Sequence, residues 1–235
     1  MDLKNLALVS GFSIAIIVIG MLIPKGEMET SQIMPWQIET TPSGTTRVFG
    51  LALGESTLVD AEQRFKAEAE VSLFAKPDGE YATEVFFEKV ELGGLSAKVV
   101  IVTGLSQEAL AEIYDRGIRI STLGSGTNKV TLGLSDLELI RHATIDSLTY
   151  LPHIKLDEEV VKKRFGEPAE IIAEIDHGTT HWLYPDSGLD LILTPKGKAV
   201  MQYISPKKFD MLVEPLRELQ SKQAESTDIN TPTTD

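Results

Sequence analysis

The chain has 235 residues, 42% hydrophobic and 24% charged, with no cysteine. Disulfides, thiolate catalysis and cysteine-ligated metals are therefore excluded, as is a lipid attached through an N-terminal cysteine. A net charge of −13, from 35 acidic against 22 basic residues, argues against a nucleic-acid partner, which wants a basic face, and against broad docking on anionic headgroups.

Between Asn5 and Pro24 no residue is charged, and Leu6 to Ile23 reads LALVSGFSIAIIVIGMLI. At ~1.5 Å per residue such a helix is long enough for a hydrocarbon core of roughly 30 Å. The run is longer than the apolar region of a cleaved signal peptide, and no small-residue cleavage pattern follows Pro24-Lys25. The expectation is an uncleaved signal anchor over residues 1–26, a single-pass transmembrane helix in contact with the membrane through residues 6–23. Lys4 precedes the span, while Lys25, Glu27 and Glu29 follow it. That bias favours the N-terminus inside and predicts a protein of the bacterial inner (plasma) membrane with a periplasmic body. Residues 27–47, polar and broken by Pro35, Pro42 and Gly44, read as a linker.

A first unit is predicted over 48–134. Leu58, Ala61 and Phe65 recur at helical spacing behind a Ser56 or Thr57 cap. Val71–Phe74, Tyr81–Phe87 and Ala97–Thr103 read as strands, separated by Pro77-Asp78-Gly79 and Gly93-Gly94. Ser106 can cap a second helix ending at Gly117. Ile118–Leu123 and Lys129–Leu132 suggest a hairpin, and Ser135–Arg141 a short helix.

A second unit is predicted over 135–220. Leu156–Phe165 has carboxylates in its first turn and cations in its last, which complements the helix dipole. Gly166 and Pro168 end it. Strands follow at Ile171–Ile175, His181–Tyr184, Leu189–Thr194 and Ala199–Ile204, then a closing helix at Met211–Gln220 and a Ser/Thr-rich tail over 221–235 that should be disordered. The two units echo each other: Arg64-Phe65 returns as Arg164-Phe165, and Ala69-Glu70-Val71 as Ala169-Glu170-Ile171, at a spacing of 100. Such self-similarity marks a repeated architecture. The expected fold class is α+β: an N-terminal transmembrane helix followed by two related helix-plus-antiparallel-sheet units.

The acidic helix running into Phe165-Gly166-Glu167-Pro168, with Trp182-Leu183-Tyr184 beyond it, resembles the SmpA/BamE-type envelope modules and the β-lactamase-inhibitor-protein fold over residues 156–205. The resemblance implies a pair of helices on a three-stranded sheet and a non-catalytic accessory role. The first unit matches only through the echo, with Lys66 and Glu68 where Gly166 and Pro168 stand. Family members hang from a lipidated cysteine, which this chain lacks.

His177 and His181 lie four apart beside Asp176, a spacing that holds a metal on a helix. Here, however, Gly178 and two threonines place them on a turn into a strand. Gly124-Ser125-Gly126 lacks the remainder of any phosphate-binding loop, and no Gly-x-Ser-x-Gly elbow occurs. No catalytic, cofactor or metal residue is assigned. Trp182 and Tyr184 share one strand face and are candidate partner-binding residues, the alternative being that they pack beneath the Val161/Phe165 helix.

The expected function is that of a membrane-anchored, non-enzymatic protein-binding or accessory module with a protein partner, without cofactor or nucleic acid. The alternatives are a membrane-anchored hydrolase or metal-dependent enzyme using His177, His181 and Asp176, and an inhibitor or sensor using an open sheet face.

Overall fold

A computed structural model describes residues 34–174 and 178–228, with side chains to 221. The first strands, β1 (Glu39–Thr40), β2 (Thr46–Val48) and β3 (Leu51–Ala52), form a small antiparallel sheet. Then follow α1 (Leu58–Phe65), β4 (Glu70–Ala75), β5 (Tyr81–Leu92), β6 (Leu95–Thr103), α2 (Gln107–Asp115), β7 (Arg119–Thr122), β8 (Asn128–Thr131), α3 (Leu134–Arg141) and β9 (Ile145–Pro152). The remainder is α4 (Glu158–Phe165), β10 (Glu170–Ala173), β11 (Thr180–Tyr184), β12 (Leu189–Leu193), β13 (Ala199–Ile204) and α5 (Asp210–Asp228).

Helix α1 starts at Thr57, whose side chain accepts from the Asp60 N–H while Asp60 reaches back to the Thr57 N–H, a capping box. Helix α4 starts at Asp157, which accepts from the Val160 N–H. The two helices and their caps stand 100 residues apart, as do the starts of β4 and β10. The chain leaves α1 through Lys66 at φ 52 and leaves α4 through Gly166 at φ 83. Both corners need positive φ, which glycine adopts without strain and lysine does not.

Ten strands form one antiparallel sheet in the order β10-β11-β12-β13-β9-β6-β5-β4-β8-β7. Its registers repeat. Glu70 faces Phe86 as Glu170 faces Leu183, Ser72 faces Glu84 as Ile172 faces His181, and Phe86 faces Val100 as Leu183 faces Asp190. Val99 faces Tyr150 as Leu189 faces Tyr203. Where the halves join, Met201 opposes Tyr150 and Leu148 opposes Tyr203, so the pairing maps onto itself. A pseudo-twofold axis therefore passes between β9 and β13, at the Thr149–Gln202 pair. The β7–β8 hairpin extends the β4 edge outside this symmetry.

The expected fold class is corrected on two points. The halves are not helix-plus-sheet units standing side by side, because β9 and β13 hydrogen-bond to each other and close a single sheet. Buried side chains from Val48 to Tyr203 accordingly join in one core. The membrane-spanning helix is the second point. Among the described residues no helix is long and apolar enough to cross a membrane. The longest, α5, carries Asp210, Glu214, Arg217 and Glu218, charges that a spanning helix excludes. The signal-anchor, single-pass, inner-membrane and periplasmic expectations are therefore not carried further; their apolar run at 6–23 lies outside the described residues.

One face of the sheet, here called the front, carries the helices α1 to α4 over Leu73, Val85, Phe87, Val99, Ile101, Tyr150, Trp182, Leu191 and Tyr203. Phe49 lies at the axis on this face, 4.9 Å from the Tyr150 ring and 6.0 Å from that of Tyr203. Among the described residues, the back face is covered over half its width only. There Phe209 and Val213 pack on Ile172, Leu183 and Ile204, with Leu212 and Leu216 alongside, and Arg217 pairs with Glu170 at 2.9 Å.

Candidate functional site

Side-chain alternation decides what reaches each face. On β11, Trp182 and Tyr184 point to the front, where both are buried. The Phe165 ring lies 6.2 Å from that of Tyr184, and the Lys162 ammonium stands 5.7 Å over the Trp182 ring. Tyr184 donates its hydroxyl hydrogen bond to the Gly166 carbonyl at 3.0 Å, and the Trp182 indole donates to Thr180 Oγ1 at 3.1 Å. Both polar ends are satisfied within the chain, and helix α4 covers the rings. Both candidate binding residues are thus buried side chains of the front face.

The alternate residues of β11 and β12 point to the back. His181 is 5% exposed and Asp190 only 1%. His181 Nδ1 lies 2.8 Å from Asp190 Oδ2, and its Nε2 lies 3.2 Å from Glu174 Oε1 on the strand-end of β10. A neutral imidazole has one N–H and can donate to only one of these carboxylates, whereas the imidazolium donates to both. Burial alone would lower the imidazole pKa. The hydrogen bond and charge of Asp190, and then those of Glu174, outweigh it and hold the pKa above its ordinary value.

This arrangement sets a pH dependence. A folded-state pKa raised above the unfolded value contributes stability that is complete below about pH 6.5 and is lost as pH rises through the folded value. The melting temperature of the protein should therefore fall between pH 6 and 9 by an increment absent from a His181→Leu variant. Parallel pH profiles for the two proteins would show that the imidazolium contributes nothing.

Of the trio drawn from the sequence, Asp176 and His177 lie outside the described residues. His181 has both ring nitrogens engaged by buried or half-buried carboxylates, neither of which the sequence reading had named. Among the described residues no group of three or more His, Cys, Asp or Glu side chains is placed to hold a metal ion. The detectable signal for Asp190 was its place inside the apolar run Leu189–Leu193, since a carboxylate buried there needs a partner.

The uncovered half of the back face, on β4, β5 and β6, is the second feature. Phe74, Phe86 and Val100 are half-buried and, with Glu70, Ser72, Glu84 and Lys129, line a groove of about 200 Å³. Lys129 pairs with Glu70 at 2.9 Å and sits 6.0 Å over the Phe74 ring. Lys98 pairs with Glu88 at 2.8 Å and sits 5.6 Å over Phe86. The Lys129 stem walls the groove while Lys98 stands over Phe86, and both charges are already offset by carboxylates.

No protein-family model matches this chain, and the comparisons with curated proteins and with solved structures found no match.

Proposed function

We propose that this chain is a non-enzymatic protein-binding module whose binding surface is the uncovered half of the back face, centred on Phe86 and Val100. The observation that carries the reading is an asymmetry on a symmetric frame. One half of the back face is sealed by Phe209 and Val213, while the register-equivalent half leaves Phe74, Phe86 and Val100 partly exposed around a groove. Completing the burial of one such half-buried aromatic side chain against a partner contributes about 1 kcal/mol. A handful of such anchors dominates a typical interface.

Two further points support the same reading. The one histidine that sequence reasoning offered for catalysis within the described residues is engaged by Asp190 and Glu174. The resemblance of residues 156–205 to SmpA/BamE-type modules points to an accessory role, since members of that family are non-catalytic.

The test uses the full chain carrying a photo-crosslinking side chain in place of Phe86, with a second probe at exposed Leu134 on the front as the control. A defined protein should be captured at the first position and not the second. The same protein, purified, should bind wild type and lose affinity by about tenfold or more for Val100→Glu. Equal capture from both positions, or binding indifferent to Val100→Glu, overturns the proposal.

A further inference from the structure

We infer that the groove on β4–β6 receives an amphipathic α-helix from a partner protein, carrying a basic residue, laid down as α5 lies on the other half of the sheet. The inference rests on the open half being a protein-binding surface, and adds what binds there.

The first argument is the pseudo-twofold axis. Matching registers place Ser72 at the position of Ile172, Phe86 at that of Leu183, and Glu70 at that of Glu170. By the same relation Leu151 corresponds to Ile204. Ile172, Leu183 and Ile204 are the residues that Phe209 and Val213 cover. The groove is thus the counterpart of the α5 footprint, left open. Ser72, itself buried, replaces the larger Ile172, so the floor is deeper there and accommodates a bulkier side chain than its counterpart does.

The second argument concerns backbone hydrogen bonds. Strand β4 is bonded to β5 and β8, β5 to β4 and β6, and β6 to β5 and β9. None is an edge, so these strands have no free row of N–H and C=O groups with which to recruit an extended segment. An occupant lying on the face of interior strands must satisfy its own backbone, which a helix does.

Charge selects the sign of the occupant. Arg217 of α5 pairs with Glu170, and the corresponding Glu70 is already engaged by Lys129. Glu84, however, stands exposed at the position of His181, while Glu88 on the same face is engaged by Lys98. With a chain charge of −13, this rim steers toward a cationic partner.

The experiment selects binders to the full-length protein from a displayed library of helical peptides randomised on one face. Enriched peptides should carry apolar residues at i, i+3, i+4 and i+7 with Arg or Lys on the flank. Three variants then locate the site. Ser72→Ile fills the groove without adding charge, Phe86→Asp removes its wall, and Glu84→Lys reverses its rim. Each should weaken an enriched peptide by about tenfold or more, and Glu84→Lys should turn the preference toward acidic peptides. Placing proline mid-helix in the peptide should abolish binding.

Enriched peptides that bind all three variants as they bind wild type overturn the inference, as does a selection yielding no helix-dependent binder. If that happens while crosslinking at Phe86 still captures a protein whose binding Val100→Glu weakens, the binding surface stands and only the helical occupant is lost. A captured protein that proves to be a second copy of this chain likewise overturns a heterologous helix.

Discussion

Asp190→Ala is expected to destabilise the protein by about 3–5 kcal/mol, read by urea unfolding at pH 7. Removing one member of a buried pair costs this much because the other is left without compensation. Asp190 is the nearer carboxylate to His181, at 2.8 Å against 3.2 Å for Glu174, and the more deeply buried. Without it the ring must either hold a charge against a single half-exposed partner or give up its proton and one hydrogen bond.

The double variant His181→Leu/Asp190→Val should behave in the opposite way, recovering to within about 1 kcal/mol of wild type or exceeding it. Replacing an entire buried ionic pair by apolar residues is often neutral or stabilising. The sheet itself offers the precedent, since Val100 occupies the position corresponding to Asp190. The other oxygen of Asp190, Oδ1, is buried without a protein hydrogen bond, an unreturned desolvation cost that the valine removes. If the double variant is no more stable than Asp190→Ala alone, the pair is not the source of the loss.

Trp182→Ala is expected to cost about 3–5 kcal/mol of stability, as truncation of a large buried aromatic side chain does, and to leave peptide binding at the β4–β6 groove unchanged. The indole is 2% exposed and belongs to the same core as Val161, Leu191 and Met201. The milder Tyr184→Phe should cost about 1 kcal/mol through its lost bond to the Gly166 carbonyl. Denaturation curves alongside peptide titrations separate the two roles. A Trp182→Ala protein that unfolds like wild type but fails to bind would make the indole a binding anchor and contradict its placement on the front face.

Much of the local structure was legible. The α1 and α4 helices, their Thr57 and Asp157 surroundings, the Gly166 corner and the β10–β13 meander follow from caps, turn residues and period-2 alternation, all short-range signals. Strand β9 was not anticipated, although Leu148 and Tyr150 alternate with Ser147 and Thr149. It follows α3 through His142, Ala143 and Thr144 with no glycine or proline between, so nothing in the sequence marks where the helix gives way to a strand. Missing it removed the one strand that joins the halves, and with it the single sheet.

The candidate sites divide in the same way. Trp182 and Tyr184 were recognisable as neighbours on one strand face, but which face the helices would cover is settled by long-range packing. His181 was visible as a titratable residue and Asp190 as an anomaly in an apolar run. Their meeting requires the β11–β12 register, which brings Leu183 opposite Asp190 and so sets His181 diagonally beside it.

By itself the amino-acid sequence determined an acidic, cysteine-free chain with a helix-to-strand corner written twice, because composition, capping and turn chemistry act within a few residues. Only the tertiary structure decided that the two copies share a sheet about a pseudo-twofold axis, that one copy is sealed by α5, and that its counterpart is open. Those outcomes depend on pairings between residues far apart in the chain, such as Met201 with Tyr150. A sheet face becomes a core or a surface according to what later segments fold across it.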